Sequence, residues 1–266
     1  MIRTGTLIVV FAIVAALAGP FLWPDDPSAQ ELARRLEAPS LAHPLGLDEL
    51  GRDILARLLQ GARVSLLVGI AVVSVSSTVG MLFGSVAGYF GGRIDDVISR
   101  VIDILMAFPG ILLAIALVAV LGPSLVNVVI ALSIIGWVGY ARLVRGQALR
   151  AREFEFVQAA RASGASAARI VVRHVLPTAI PAVVVQATLG MAGAIIAEAA
   201  LSFLGLGVQP PTPSWGTMLD AGRAHLFDAP HLTIFPGLAI AVLVLGFNFL
   251  GDGLRDRLDP MTKGRS

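Results

Sequence analysis

No cysteine occurs in the 266 residues, so disulfides and cysteine-ligated metals are excluded. Lysine is almost as scarce. Lys263 is the only one, and it follows Thr262 rather than glycine. A phosphate-binding loop of the form GxxxxGKS/T is therefore absent. If the protein uses ATP, another chain hydrolyses it. Charge is low as well, at 14% of residues, where soluble domains carry about 25%. Aromatic residues make up only 6% and no stretch alternates with period two, which disfavours an outer-membrane barrel. The sequence pI near 9.6 accompanies a net charge of only +2. With so much apolar surface, membrane topology explains the basic residues better than nucleic acid does.

What is present is long apolar runs: 56% of the chain is hydrophobic, and the mean hydropathy is +0.82. A bilayer core needs about 20 such residues per helix. Six spans fit, over Thr6–Trp23, Arg63–Phe90, Ile98–Leu121, Leu125–Leu143, Thr178–Ile196 and Leu232–Leu250. The first also fits a signal peptide, because "MIRTG" leads an apolar run with Ala16-Leu17-Ala18 as a cleavage site. The run continues to Trp23, an interfacial anchor, and this favours a retained span. The fold expected is an all-α polytopic membrane protein of six transmembrane helices.

Arginine sets the expected orientation. With the N-terminus in the cytoplasm, fourteen basic residues fall inside and six outside, while acids number seven inside and nine outside. The positive-inside rule then places both termini and the segment around 150–177 in the cytoplasm. Residues 1–61 would hold the first span and an external loop. Residues 62–254 would form a core of five spans with another external loop over 207–231, and 255–266 a cytoplasmic tail. Within the first loop, "LDELGRDILARLLQG" suggests a helix with Asp48 as N-cap and Gly61 as C-cap. Ile54, Leu55, Leu58 and Leu59 share one face, which suits either a helix on the outer membrane surface or a short packed one. Pro210, Pro211 and Pro213 force the second loop to be extended.

The segment "EFEFVQAARASGASAARIVVRHVLP", Glu153–Pro177, is polar between two apolar spans. Acids at its start favour a helix there, which should stop at Gly164. Ser166 can cap a second short helix, which Pro177 is expected to close. A mere connector needs no pair of capped helices. Small Ala159, Ala160, Ala162 and Ala165 let another surface approach, so the pair suits a rigid docking knob.

The order Gln158-Ala159-Ala160, Gly164, Leu176-Pro177 resembles the E-A-A-x3-G-x9-I-x-L-P signature of permease subunits of bacterial ATP-binding-cassette importers. Gln158 replaces its Glu and His174 its Ile. Three further stretches are similar to the second permease of the dipeptide, oligopeptide and nickel importer family. They are "HPLGLDELGRDILARLLQGARVSLLVG" (His43–Gly69), "EAALSFLGLGVQPPTPSWGTML" (Glu198–Leu219) and "FPGLAIAVLVLGFNFLGDGLRDRLDP" (Phe235–Pro260). Leu47 departs from the small polar residue usual there, and the stretch before the first span is very short. The resemblance implies a type I importer permease of the bacterial inner membrane, with the segment around 150–177 as coupling helices. Glu155, Gln158, Ala159, Ala160 and Gly164 would face an ATPase, and Leu176 and Pro177 would anchor the return to the fifth span. It implies as partners a second homologous permease, one or two ATPase subunits holding ATP and Mg, and an external substrate-binding protein. The chain itself would carry no cofactor, metal or catalytic residue. Dipeptides, longer peptides, glutathione-like molecules, haem and nickel chelates all remain open as cargo.

Two acids fall in or near lipid, Asp103 and Glu198. Asp103 is expected to pair with Arg100, one turn away, and Glu198 to snorkel or to line an outer vestibule. Asn127, Gln186 and Asn248 are candidates for a translocation path or for helix-to-helix bonds. Pro109 and Gly110 should kink the third span, and Gly69, Gly80, Gly84 and Gly88 should be close-packing positions. A self-contained secondary transporter is the alternative, but no repeated half appears. An intramembrane protease is disfavoured because all four histidines lie outside the bilayer or at its edge.

Overall fold

The computed structural model describes residues 1–258, so the expected tail over 255–266, with Lys263 and Arg265, falls largely outside them. Among the described residues the regular elements are helices, apart from one isolated bridge between Leu47 and Asp53. Five helices among the described residues are long and apolar enough to cross a membrane, or six if a bent pair forms one span. The chain is a multi-pass, all-α membrane protein.

Helix α1 (Ile2–Leu22) contains Pro20, which has no N–H to offer the carbonyl of Ala16 one turn back. Arg63 supplies the missing donor: its Nε bonds Ala16 O, and a terminal nitrogen bonds Leu17 O at 2.9 Å. A charge at the edge of the apolar zone thereby satisfies a backbone group that proline left open.

Helix α2 (Ile54–Phe90) runs unbroken for 37 residues. The expected separate helix ending at Gly61 is instead the first turns of this span. Its N-cap is Asp53, not Asp48, and the Asp53 carboxylate accepts from Ala56 N at 2.7 Å. Asp48 serves the preceding turn, accepting from Leu50 N and Arg52 N, and pairs with Arg52 and Arg57. Gly61 is small for a tertiary reason, since a Cβ there would lie 2.8 Å from Trp215 Cδ1. Ile54 and Leu58 pack into the core with Trp215 and Leu232, so this face meets protein rather than the membrane surface.

The loop before α2 is knitted by charge. Arg34 pairs with Glu37 at 2.6 Å and holds its carboxyl below its ordinary pKa. Asp53 also accepts from Trp23 Nε1 and pairs with His43 Nδ1 at 2.8 Å.

Helix α3 (Gly92–Met106) and helix α4 (Gly110–Leu121) replace the single third span, meeting at 86°. A kink was expected at Pro109; the helix breaks there outright, with Pro109 as the N-cap of α4. The expected Arg100–Asp103 pair does not form. Asp103 is exposed, and α3 is tied down instead by Asp95, which pairs with Arg145 through two bonds of 2.5 and 2.7 Å.

Helix α5 (Leu125–Ala151) packs along α2, and the four-residue spacing of small residues makes this possible. A Cβ on Gly84 would lie 2.5 Å from Ala141 O, and one on Gly88 would lie 2.6 Å from Ala148 Cβ. Gly80 meets Tyr140 in the same row, and Gly69 admits Met191 from a further helix.

After the short helices α6 (Glu155–Ala162) and α7 (Ala167–Ile170), a π-turn (Val171–Val175) leads into α8 (Leu176–Phe203). Pro177 therefore does not end the second short helix. In an α-turn its ring would strike the carbonyl four residues back. The wider turn, with Leu176 N bonded to Val171 O, relieves that clash, and the helix continues as a single span from Ala167 to Phe203. Helix α9 (Trp215–Gly222), capped by Ser214 and Thr217, follows the extended loop, and α10 (His231–Leu258) closes the bundle against α1 and α8.

Candidate functional site

The polar segment Glu153–Pro177 forms a projecting knob, and its corner is built from local rules. Helix α6 ends in a reciprocal pair of backbone bonds, Ala165 N to Ala160 O at 3.1 Å and Gly164 N to Arg161 O at 3.0 Å. This arrangement needs a left-handed residue just past the helix, and Gly164 has φ +79°. Ser166 then accepts from Arg169 N and starts α7.

One side of the knob is buried. Val157, Ile170 and Val175 cluster with Tyr89 at the end of α2 and with Ala148 and Ala151 at the end of α5. Arg161 lies over the Tyr89 ring, 5.6 Å from its centre, a cation–π contact that adds a second tie to α2. The knob is thus clamped to two spans and continuous with a third.

The other side is open. Glu155, Gln158, Ala159, Gly164 and Pro177 are exposed, while Ala160 and Leu176 are half-buried. Gln158 reaches back to Glu153 O at 3.2 Å, so the amide standing at the Glu position of the signature is partly used within the chain. Sequence reasoning missed the aromatic content of this face. Phe154 and Phe156 are 44% and 49% exposed, with ring centres 5.6 Å apart, and His174 lies against Phe156. Exposed aromatics of this kind commonly anchor interfaces. The signal was in "EFEF", where only the acids drew attention.

The four residues proposed for a path part company. Glu198 is fully enclosed, 0% exposed, and accepts hydrogen bonds from Ser202 Oγ at 2.7 Å and Ser65 Oγ at 3.2 Å. It is a joint between α2 and α8 rather than part of a vestibule wall. Asn127 donates to Leu121 O and Gly122 O and pins the corner between α4 and α5. Asn248 is half-buried on α10, and Gln186 lines a cavity among the spans.

Asp25, His43 and Asp53 bring ligand atoms within 4.8 Å of one another, the spacing of a metal site. Their existing bonds argue otherwise. Arg34 lies 3.1 Å from His43 Nε2, and Asp53 already serves Ala56, Trp23 and His43. His43 and Asp53 are tied into a hydrogen-bonded corner.

Comparison with known proteins places this architecture. The chain is 47% identical over 259 residues to the dipeptide transport system permease protein DppC of Alkalihalophilus pseudofirmus, covering 97% of this chain and 85% of that protein. It is 48% identical over 265 residues to the glutathione transport system permease protein GsiD of Shigella dysenteriae serotype 1, covering 99% and 88%. Among solved structures, an inward-facing form of the MetNI methionine ABC transporter aligns with TM-score 0.59 at 19% identity, over 76% of this chain and 96% of that one. Residues 80–264 match the family described as binding-protein-dependent transport system inner membrane component, and the chain belongs to that family.

Proposed function

We propose that this chain is the translocation subunit of an ATP-driven importer for peptides or related small solutes. It forms the path with a second, similar permease, receives solute from an external binding protein, and is driven by ATPase subunits that hold ATP and Mg. The observation that carries this reading is the knob. It presents an exposed face of small and aromatic residues while its back is packed on Tyr89, Ala148 and Ala151 at the ends of two spans. A partner that pushes on Glu155, Gln158, Ala159 and the Gly164 corner therefore moves α2, α5 and α8 together. A chain without a nucleotide-binding loop needs that link to an outside source of work.

The peptide class is supported by the names of the dipeptide and glutathione permeases that match nearly the whole chain. The arginine distribution supports a cytoplasmic knob and cytoplasmic termini in the inner membrane. Purification from a mild detergent tests the assembly. The expected result is that ATPase subunits and a second permease co-purify and that solute uptake in proteoliposomes requires ATP. A chain that purified alone and moved solute down an ion gradient would be a secondary transporter, and this reading would fall.

A further inference from the structure

Helix α4 is apolar on every side: none of its 12 residues carries a polar side chain. Helix α3, which meets it at 86°, is of another kind, with Arg93, Asp95, Asp96, Arg100 and Asp103 among 15 residues. Its surface divides into three stripes, each with the three- and four-residue spacing of one helix face. Ile98, Ile102 and Leu105 pack on Trp137, Val138 and Ala141 of α5. Arg93, Asp96, Arg100 and Asp103 form an exposed charged stripe. Ile94, Val97, Val101 and Ile104 form a third stripe between those two, and all four are exposed, Val97 and Ile104 to 62%. Phe108, Ile111 and Leu112 are exposed as well, so apolar surface is open on both sides of the bend.

The level of α3 follows from its packing. Two turns of α3 rest on little more than one turn of α5, so α3 crosses that span and does not run alongside it. One turn further toward the arginine-rich end of α5, Arg145 pairs with Asp95. From the crossing, α4 rises about 18 Å, at roughly 1.5 Å per residue, through a bilayer core about 30 Å thick. The remaining ~12 Å is the diameter of one helix lying flat.

We propose that α3 is a membrane-surface helix, lying in the plane of the cytoplasmic leaflet with Ile94, Val97, Val101 and Ile104 against acyl chains and its charged stripe toward water. Such helices are held by buried apolar area and by attraction to anionic lipids. Here two arginines and two aspartates cancel along the charged stripe, so apolar burial holds the helix. The placement puts Arg100 and Asp103 in water and avoids the cost of charge inside a bilayer. Tied to α5 through Asp95 and Arg145, α3 sets the depth of the span that leads into the knob.

The test uses single cysteines, one per variant, in the otherwise cysteine-free chain. Each is nitroxide-labelled in the purified complex, with any cysteines of its other subunits replaced, in phosphatidylcholine vesicles. Depth is read from the ratio of oxygen to nickel-chelate accessibility. All positions used are exposed, so no label displaces a packed side chain. Labels on Ile94→Cys, Val97→Cys, Val101→Cys and Ile104→Cys are expected in lipid at one shallow depth, within about 5 Å of one another. Labels on Asp96→Cys, Arg100→Cys and Asp103→Cys are expected to meet the nickel chelate. A depth that changed steadily from 94 to 104, by about 15 Å, would make α3 the lower half of a tilted span and overturn the proposal. Shielding of the four apolar positions from both oxygen and nickel would put protein over that stripe, and nickel access there would put water over it. Either result overturns the lipid contact.

Discussion

Gly164→Pro is expected to leave the protein folded and membrane-inserted while separating ATP hydrolysis from transport. The native φ of Gly164 is +79°, and proline is held near −65°. Proline also removes the N–H that closes α6 onto Arg161 O. Gly164→Val keeps the N–H but forces a β-branched residue into the left-handed region, at a cost of about 1–2 kcal/mol. The damage stays local, because a Cβ at Gly164 meets nothing within 4 Å. The corner re-aims, the exposed face of α6 no longer presents Gln158 and Ala159 in register, and the link between nucleotide state and span position weakens. Couplings of this kind are worth about 1–3 kcal/mol, or 5–150-fold. Uptake should fall within that range while ATPase activity of the assembled complex persists. Gly164→Ala, which tolerates the left-handed region better than valine does, should lose less. Uptake at the unaltered rate by the proline variant, at normal expression, would remove the knob from the mechanism.

A change of similar size but opposite character is expected at Gly84, where the bundle itself is at stake. Its Cβ would press on Ala141 O at 2.5 Å and Val144 Cβ at 3.0 Å, and a backbone oxygen inside a packed helix has no room to retreat. Gly84→Leu must part α2 from α5 over the length held together by Gly80, Gly84 and Gly88. Overpacking typically costs about 1–3 kcal/mol and occasionally more, and this site belongs at the upper end. Thermal unfolding in detergent should show a clear loss of stability, with less protein retained in the membrane. Gly146→Leu on α5 is the control: its Cβ meets nothing within 4 Å, so stability should hold.

These two glycines show where the sequence was legible. The row Gly80, Gly84 and Gly88 follows the spacing of one helix face, and a left-handed glycine followed by a capping serine at 164–166 is a local rule. Both could be read without a partner segment in view. Gly61 could not. A glycine that ends a helix and one that admits a tryptophan from 154 residues away leave the same mark, and Trp215 settles it only in three dimensions. Glu198 failed for the same reason. Ser65, one of its hydroxyl partners, lies 133 residues away, so a carboxyl that seemed to border lipid is enclosed by protein. Pro109 and Pro177 were both read as interruptions, yet one breaks its span by 86° and the other is carried through by a π-turn. Proline states only that an ordinary turn is impossible; the packing around it selects the remedy.

The most direct test of the whole account uses the absence of cysteine, which makes any introduced thiol unique. Ser163 is exposed at the tip of the knob, beside Gly164. Ser163→Cys should react with a membrane-impermeant maleimide in inside-out vesicles and not in intact cells, and ATPase subunits bound to the complex should shield it. Labelling from outside intact cells would put the knob on the wrong side of the membrane and end the account.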